Sequence, residues 1–169
     1  STATQSFNIA INDLDEFDVT VPTDSDGATN EVNENVAIGS SVGLTADAFD
    51  SDATTDTITY SLTSNPDGLF QINSSTGEVA TAAAIDREAH GATRTITVQA
   101  QSADGSTATQ SFNIAINDLD EFDVTVPTDS DGATNEVNEN VAIGTSVGLT
   151  ADALDSDATS DTIKIGRAS

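Results

Sequence analysis

Residues 111–124 read SFNIAINDLDEFDV, and residues 6–19 read the same fourteen letters. Phe112, Ile114 and Ile116 alternate with Asn113, Ala115 and Asn117. That period of two belongs to a strand with one buried face, not to a helix. The strand pattern stops at Asp118-Leu119-Asp120-Glu121, where three carboxylates crowd into four residues.

The duplication extends well beyond this stretch. Residues 1–39 match residues 106–144 letter for letter, an offset of 105. Further on, Ser40 becomes Thr145, Phe49 becomes Leu154 and Thr55 becomes Ser160, and the match ends at Ile163. A period of 105 is too long for a solenoid unit of roughly 20–50 residues and suits one small domain. The expected organisation is a window on a tandem array. Residues 1–15 are the last strand and linker of a preceding repeat, and residues 16–120 form one complete repeat. Residues 121–163 are the first two strands and the start of a third of the following repeat. Residues 164–169 break the pattern and read as an appended tail.

The same alternation recurs along the unit: Phe17, Val19, Val21; Val42, Leu44, Ala46; Ile58, Tyr60, Leu62; and Ile96, Val98, Ala100. Shorter strands are expected at Leu69–Ile72 and Glu78–Thr81. Turn signals separate them, among them Asp26-Gly27, Asn65-Pro66-Asp67-Gly68, Ser75-Thr76-Gly77 and Asp104-Gly105. Val79–Ala89 tolerates a helix, but its Thr and Gly neighbours favour strand plus loop. About seven short strands in one repeat predict an all-β, antiparallel, immunoglobulin-like β-sandwich.

Composition narrows the function. The chain has 29 acidic and four basic residues, for a net charge of −25. Phosphate contacts need Lys and Arg, so nucleic acid is excluded as a partner, and an anionic membrane surface is disfavoured for the same reason. No apolar run approaches the roughly 20 residues of a membrane span. With no Cys, disulfides, Cys-based zinc sites and thiol nucleophiles are absent. High acidity with 4% aromatic residues also fits disorder, but the periodic apolar residues argue against it.

The acids gather in four places: Asp118-Leu119-Asp120-Glu121 with its copy Asp13-Leu14-Asp15-Glu16; Asp50-Ser51-Asp52 with its copy Asp155-Ser156-Asp157; Asp86-Arg87-Glu88; and Glu34 between two Asn. Ca²⁺ takes six to eight oxygen ligands, and Asp-x-Asp spacing lets two carboxylates reach one ion. Taken singly, any one Asp-x-Asp is better explained as a solvated acidic loop. An EF-hand is not supported, because Asp24-Ser25-Asp26-Gly27 places its Gly too early and lacks the closing Glu.

The order of these segments resembles the bacterial cadherin-like repeat of giant surface adhesins. The resemblance is carried by Glu34-Asn35-Val36-Ala37-Ile38-Gly39, Ala48-Phe49-Asp50-Ser51-Asp52, Ile58-Thr59-Tyr60-Ser61-Leu62, Leu69 to Val79, Ile85-Asp86-Arg87-Glu88 and Ile116 to Phe122. It implies Ca²⁺ at each junction, held by Glu34, Asp86, Glu88, Asp118, Asp120, Asp155 and Asp157, with Glu121 in place of an amide ligand. The equivalent residues at the other end are Asp13, Asp15, Asp50 and Asp52. Where the family pattern has Asp after its sixth strand this chain has Ser102, which weakens one ligand or moves it to Asp104. The resemblance further implies an extracellular, cell-surface location, calcium-dependent cell adhesion, and neighbouring repeats of the same chain as partners.

Two functions follow: a calcium-stiffened extender, or a module that recognises polysaccharide or another copy of itself. One Tyr, six Phe and no Trp offer little for stacking on sugars, and most Phe fit core positions, so the extender is favoured. Ice binding would need regular Thr rows, and the Thr residues are scattered. Catalysis is not expected: His90, the one histidine, reads as an exposed bystander in a polar loop, and the paired carboxylates are already explained by metal. Arg87 is expected to pair with its acidic neighbours and Tyr60 to lie in the core. Asn73-Ser74-Ser75 matches a glycosylation acceptor and carries little weight.

Overall fold

The computed structural model describes residues 1–12, 16–51, 57–156 and 163. The chain forms two compact units, Ser1–Asn117 and Asp118–Ser169.

In the first unit, two four-stranded sheets carry the apolar residues on facing sides. One has the order β1-β3-β6-β5, from β1 (Thr23–Asp24), β3 (Ser41–Asp47), β6 (Glu78–Thr81) and β5 (Phe70–Ile72). The other has the order β2-β8-β7-β4, from β2 (Glu31–Asn33), β8 (Thr107–Asn117), β7 (Thr93–Gln101) and β4 (Thr59–Ser64). Val42, Leu44 and Ala46 of β3 and Ile96, Val98 and Ala100 of β7 are buried, while the residues between them are half-buried or exposed. Ile114, Ile116, Val79, Leu69, Phe70, Ile85, Val32 and Tyr60 complete the core. This is the expected β-sandwich, with period-two burial as its cause. The longest ladder joins β7 and β8, from Thr93↔Ala115 to Gln101↔Thr107.

Three local expectations are corrected. Phe17–Val21 is not a strand. Val19 is buried, but its N–H donates to Ser106 Oγ (3.0 Å) and the Thr20 N–H to the Phe49 carbonyl (2.9 Å). Pro22 then interrupts any ladder because it has no N–H, and β1 begins only at Thr23. Secondly, β2 lies where no strand was expected, and it pairs in parallel with β8 (Glu31↔Ala115, Val32↔Ile116, Asn33↔Asn117). It brings the strands of this unit to eight among the described residues, one pair being parallel. Thirdly, Arg87–His90 forms one helical turn, α1, capped by Asp86 Oδ1, which accepts from the Ala89 N–H at 2.8 Å.

The second unit reproduces the first pairing of the repeat. β9 (Thr128–Asp129) pairs with β10 (Ala151–Asp152) through Ala151↔Asp129 and Asp152↔Thr128, the register of β1 with β3. The Thr150 N–H donates to Asp129 Oδ1 (3.1 Å) and holds that carboxyl below the ordinary Asp range. Residues 136–138, the copy of β2, form no strand. Val137, Val147 and Leu149 are exposed, whereas their copies Val32, Val42 and Leu44 are buried. Residues 1–12, the copy of 106–117, are likewise exposed and without strand. No helix among the described residues is long and apolar enough to cross a membrane.

Candidate metal centre

β2 delivers Glu34 to the C-terminal end of β8. The parallel pairing runs to Asn33↔Asn117, and the next residue's N–H, that of Glu34, donates to the Asn117 carbonyl at 3.1 Å. Asn35 then turns the chain with φ of 56°, in the left-handed region that Asn tolerates. Its N–H donates to the Ile85 carbonyl (3.0 Å) and fastens this turn to the segment that begins α1.

Glu34 is the one buried acid among the described residues, 1% exposed. Its Oε2 accepts the Arg87 backbone N–H at 2.7 Å, a short, charge-assisted bond. The next residue of α1, Glu88, is exposed, and an oxygen of its carboxylate lies within 4.8 Å of one from Glu34. Two carboxylates this close, one of them out of water, repel each other in a medium of reduced dielectric. Two oxygens bound to one Ca²⁺ at 2.3–2.6 Å lie at most about 5 Å apart. The pair therefore fits a calcium ion in both donor type and spacing.

The remaining expected ligands distribute as follows. Asp86 is exposed, and one of its oxygens is committed to capping α1. Asp118, Asp120 and Glu121 are exposed and belong to the second unit, beginning one peptide bond after Asn117. Asp155, also in the second unit, is half-buried. Asp50 is half-buried at the opposite end of the sandwich. Its Oδ2 accepts from the Ser106 hydroxyl at 3.5 Å, one residue before β8 starts. With about 3.3 Å per residue, the eleven residues of β8 separate this end from Glu34 by about 35 Å. Asp13, Asp15, Asp52 and Asp157 lie outside the described residues.

Ser102, standing where the resembled pattern has Asp, is buried, and among the described residues its hydroxyl meets no hydrogen-bond partner. Asp104 caps its own turn instead, with Oδ1 accepting the Ser106 N–H at 2.6 Å. Sequence reasoning missed two parts: the Arg87 backbone donor and the Ser106 hydroxyl. Neither carries a signal, since any residue supplies an N–H and Ser is common in turns.

Tyr60 is in the core, as expected, and its hydroxyl accepts the Ala48 N–H at 3.0 Å. His90 is not a bystander: it is half-buried, and Nδ1 accepts the Asp86 N–H at 3.1 Å. The placing of most Phe in the core is overturned, because Phe7, Phe17, Phe49 and Phe122 are exposed. A depression of about 310 Å³ on the β5–β6 face is lined by Gly39, Gln71, Ile72, Asn73, Glu78 and Ala80, with no aromatic among them.

Among solved structures, the chain is similar to the extracellular domain of protocadherin gamma B4, with 22% identity and a TM-score of 0.68 over 88% of this chain. It is similar to extracellular cadherin domains 3–6 of protocadherin gamma B2, at 23% identity and a TM-score of 0.64 over 88%. Domains EC22–24 of mouse cadherin-23 match at 25% identity and 0.57 over 85%. The chain spans 23%, 37% and 45% of those three chains. Comparison with curated proteins gives no match. The cadherin domain matches residues 28–117, more than half of the chain and the whole run from before β2 to the end of β8, and the chain belongs to the cadherin domain family.

Proposed function

We propose that the repeat is a calcium-stiffened extender module of an extracellular bacterial adhesin. Membership of the cadherin domain family supplies the general setting: cadherin domains are extracellular adhesion modules that bind Ca²⁺. The observation that carries the reading to this chain is the Glu34–Glu88 pair at the end of β8, a buried acid and an exposed one within 4.8 Å. Glu34 and Glu88 would begin the ligand set, with Asp86, Asp118, Asp120 and Glu121 nearest in the chain to them or to Asn117. Asp155 and Asp157 extend the set by resemblance. Asp13, Asp15, Asp50 and Asp52 would form the equivalent, less complete set. The bacterial origin and the surface location rest on the sequence resemblance alone.

The test is thermal unfolding of the chain in EDTA, in millimolar Mg²⁺ and in millimolar Ca²⁺. An ion bound only by the folded state stabilises by RT ln(1 + [L]/Kd), about 2.7 kcal/mol at a hundredfold excess over Kd. Ca²⁺ is expected to raise the midpoint well beyond matched Mg²⁺, and equal midpoints in Ca²⁺ and EDTA would refute the metal reading. Polysaccharide recognition gains no support from the β5–β6 depression, which offers no aromatic face for a sugar ring.

A further inference from the structure

We propose that the outer face of the β4–β7–β8 sheet binds a neutral polysaccharide chain through its hydroxyl and amide side chains.

The alternation that builds the core leaves the other side of each strand facing out. Four consecutive outward pairs of the β7–β8 ladder, from Thr95↔Asn113 to Gln101↔Thr107, are made only of Thr, Ser, Gln and Asn. β4 widens the patch, with Ser61 beside Gln99 and Thr59 beside Gln101. Thr residues that stand apart in the sequence thus gather on one face, and its positions are exposed or half-buried. None of them is charged, in a chain whose residues are 20% charged. The first acid met on this face is Glu31, beside Ala115 at its far end. The outer face of the other sheet differs, because Asp47 of β3 and Glu78 of β6 are exposed there.

The patch is ordered before any ligand arrives. Thr95 Oγ1 donates to Asn113 Oδ1 at 2.7 Å, and the hydroxyls of Thr97 and Ser111 share a hydrogen bond of 3.0 Å. Each pair keeps acceptor lone pairs and at least one N–H or O–H for a ligand. Side chains already held in place lose little entropy on binding.

Chemistry selects the occupant. Anionic polymers are repelled by the net charge of −25, and cations are drawn to acids that lie elsewhere. Protein interfaces are anchored by Trp, Tyr, Arg and Met, none of which occurs in the patch. For a second copy, four rows by three strands cover about 25 Å by 14 Å. Two copies would bury about 700 Å² between them, short of the roughly 1,000 Å² of a specific contact. Ice demands a regular Thr lattice, whereas Gln and Asn interrupt the Thr here and the register shifts between Leu62 and Ser64. A neutral polysaccharide matches the patch directly. Its hydroxyls donate and accept as those of Thr and Ser do, and the amides of Gln and Asn can bond adjacent hydroxyls in pairs. An open face three strands wide suits an extended chain rather than a single sugar. With no aromatic ring in the patch, the contact is weak, with a Kd on the order of 1 mM, and it needs no metal.

The experiment is affinity electrophoresis of the full chain in native gels containing hydroxyethyl cellulose, a neutral glucan, or alginate, an anionic polysaccharide, in EDTA and in Ca²⁺. Mobility is referred to a gel without polysaccharide. Retardation by hydroxyethyl cellulose and none by alginate is expected. The same retardation in EDTA separates this contact from the calcium reading. Thr97→Glu with Ser111→Glu puts charge at the middle of the patch and should raise the apparent Kd at least about tenfold. Thr97→Val with Ser111→Ala removes the hydroxyls without adding charge and should weaken binding in the same direction, with circular dichroism showing the fold retained. Ser41→Glu with Ala80→Glu adds the same charge at a paired position on the other sheet and should leave the retardation unchanged. No retardation of the full chain, retardation that needs Ca²⁺, unaltered binding by either Thr97–Ser111 variant, or an equal loss in the Ser41–Ala80 variant would each overturn the proposal. So would self-association in sedimentation that the Thr97–Ser111 variants abolish, since the face would then belong to a second copy.

Discussion

Gly77 shows how much of the sandwich rests on one absent atom. Its φ is +74°, and a Cβ there would run into the carbonyl oxygen of Ala46 on β3. The contact cannot relax, because the Ala46 N–H donates to the Gly77 carbonyl (2.9 Å) and the Gly77 N–H to the Asn73 carbonyl (2.9 Å). Gly68 has a similar φ of +67° with nothing within 4 Å of its hypothetical Cβ. Gly77→Ala is therefore expected to cost at least about 2 kcal/mol, and Gly68→Ala about 1 kcal/mol, from strain alone. Urea denaturation of both variants checks the ordering, and equal costs would remove the close-approach argument. Glu34 is the other decisive residue. Glu34→Gln keeps an acceptor for the Arg87 N–H but withdraws the charge, so the turn should survive while calcium affinity falls at least about tenfold. Calorimetry with far-UV circular dichroism separates the two effects. Nothing in Asn33-Glu34-Asn35 itself marks this acid as buried. It was singled out as an acid between two Asn and assigned to a ligand set through the resemblance, while its burial comes from a parallel strand that local patterning does not announce.

At the scale of elements, legibility followed length. β3, β7 and β8 each offer several alternating apolar positions and were read correctly within a few residues. β2 has a single apolar residue, Val32, and a period cannot be read from one point. Phe17–Val21 has the period but not the ladder, because Pro22 and side-chain bonds to Ser106 and Thr20 replace regular pairing. α1 is one turn held by a cap and by tertiary contact, too short for a 3.6-residue period to appear. The strongest lesson is that identical words take different structures. Residues 107–117 form β8, whereas residues 2–12 form no strand, so propensity alone does not make this strand and its two partners β2 and β7 do. A matched pair of substitutions measures this directly. Ile114→Ala removes a fully buried side chain and should cost about 2–5 kcal/mol. Ile9→Ala, in the same seven-residue context, should cost less than about 0.5 kcal/mol. Both are read from unfolding midpoints at low micromolar concentration, and comparable losses would mean that residues 1–12 are packed against the first unit.

Over the whole molecule, charge is the term that the sandwich must overcome. The net charge is −25, and Arg87 and Arg94 are the basic residues of the first unit. Of these, Arg94 pairs with Asp67 at 3.0 Å, and the Arg87 backbone serves Glu34. Self-repulsion of this kind destabilises the compact state relative to the expanded chain, where the same charges stand farther apart. Bound calcium would neutralise it locally at the ends of the sandwich, and monovalent salt screens it everywhere, over a Debye length of about 10 Å at 0.1 M. The two remedies act on the same repulsion and should not add fully. In EDTA, raising NaCl from about 0.01 M to about 0.5 M, where screening shortens from about 30 Å to a few ångströms, is expected to raise the unfolding midpoint of the first unit. A gain of 1 kcal/mol corresponds to about 4–8 °C for a domain of this size. In saturating Ca²⁺ the same salt step should raise it by clearly less, because the repulsion between Glu34 and Glu88 would already be compensated. KCl in place of NaCl should give the same result, which separates screening from specific ion binding. A salt effect equal in EDTA and in Ca²⁺ would mean that the repulsion is spread over the surface and that the Glu34–Glu88 pair contributes little to it.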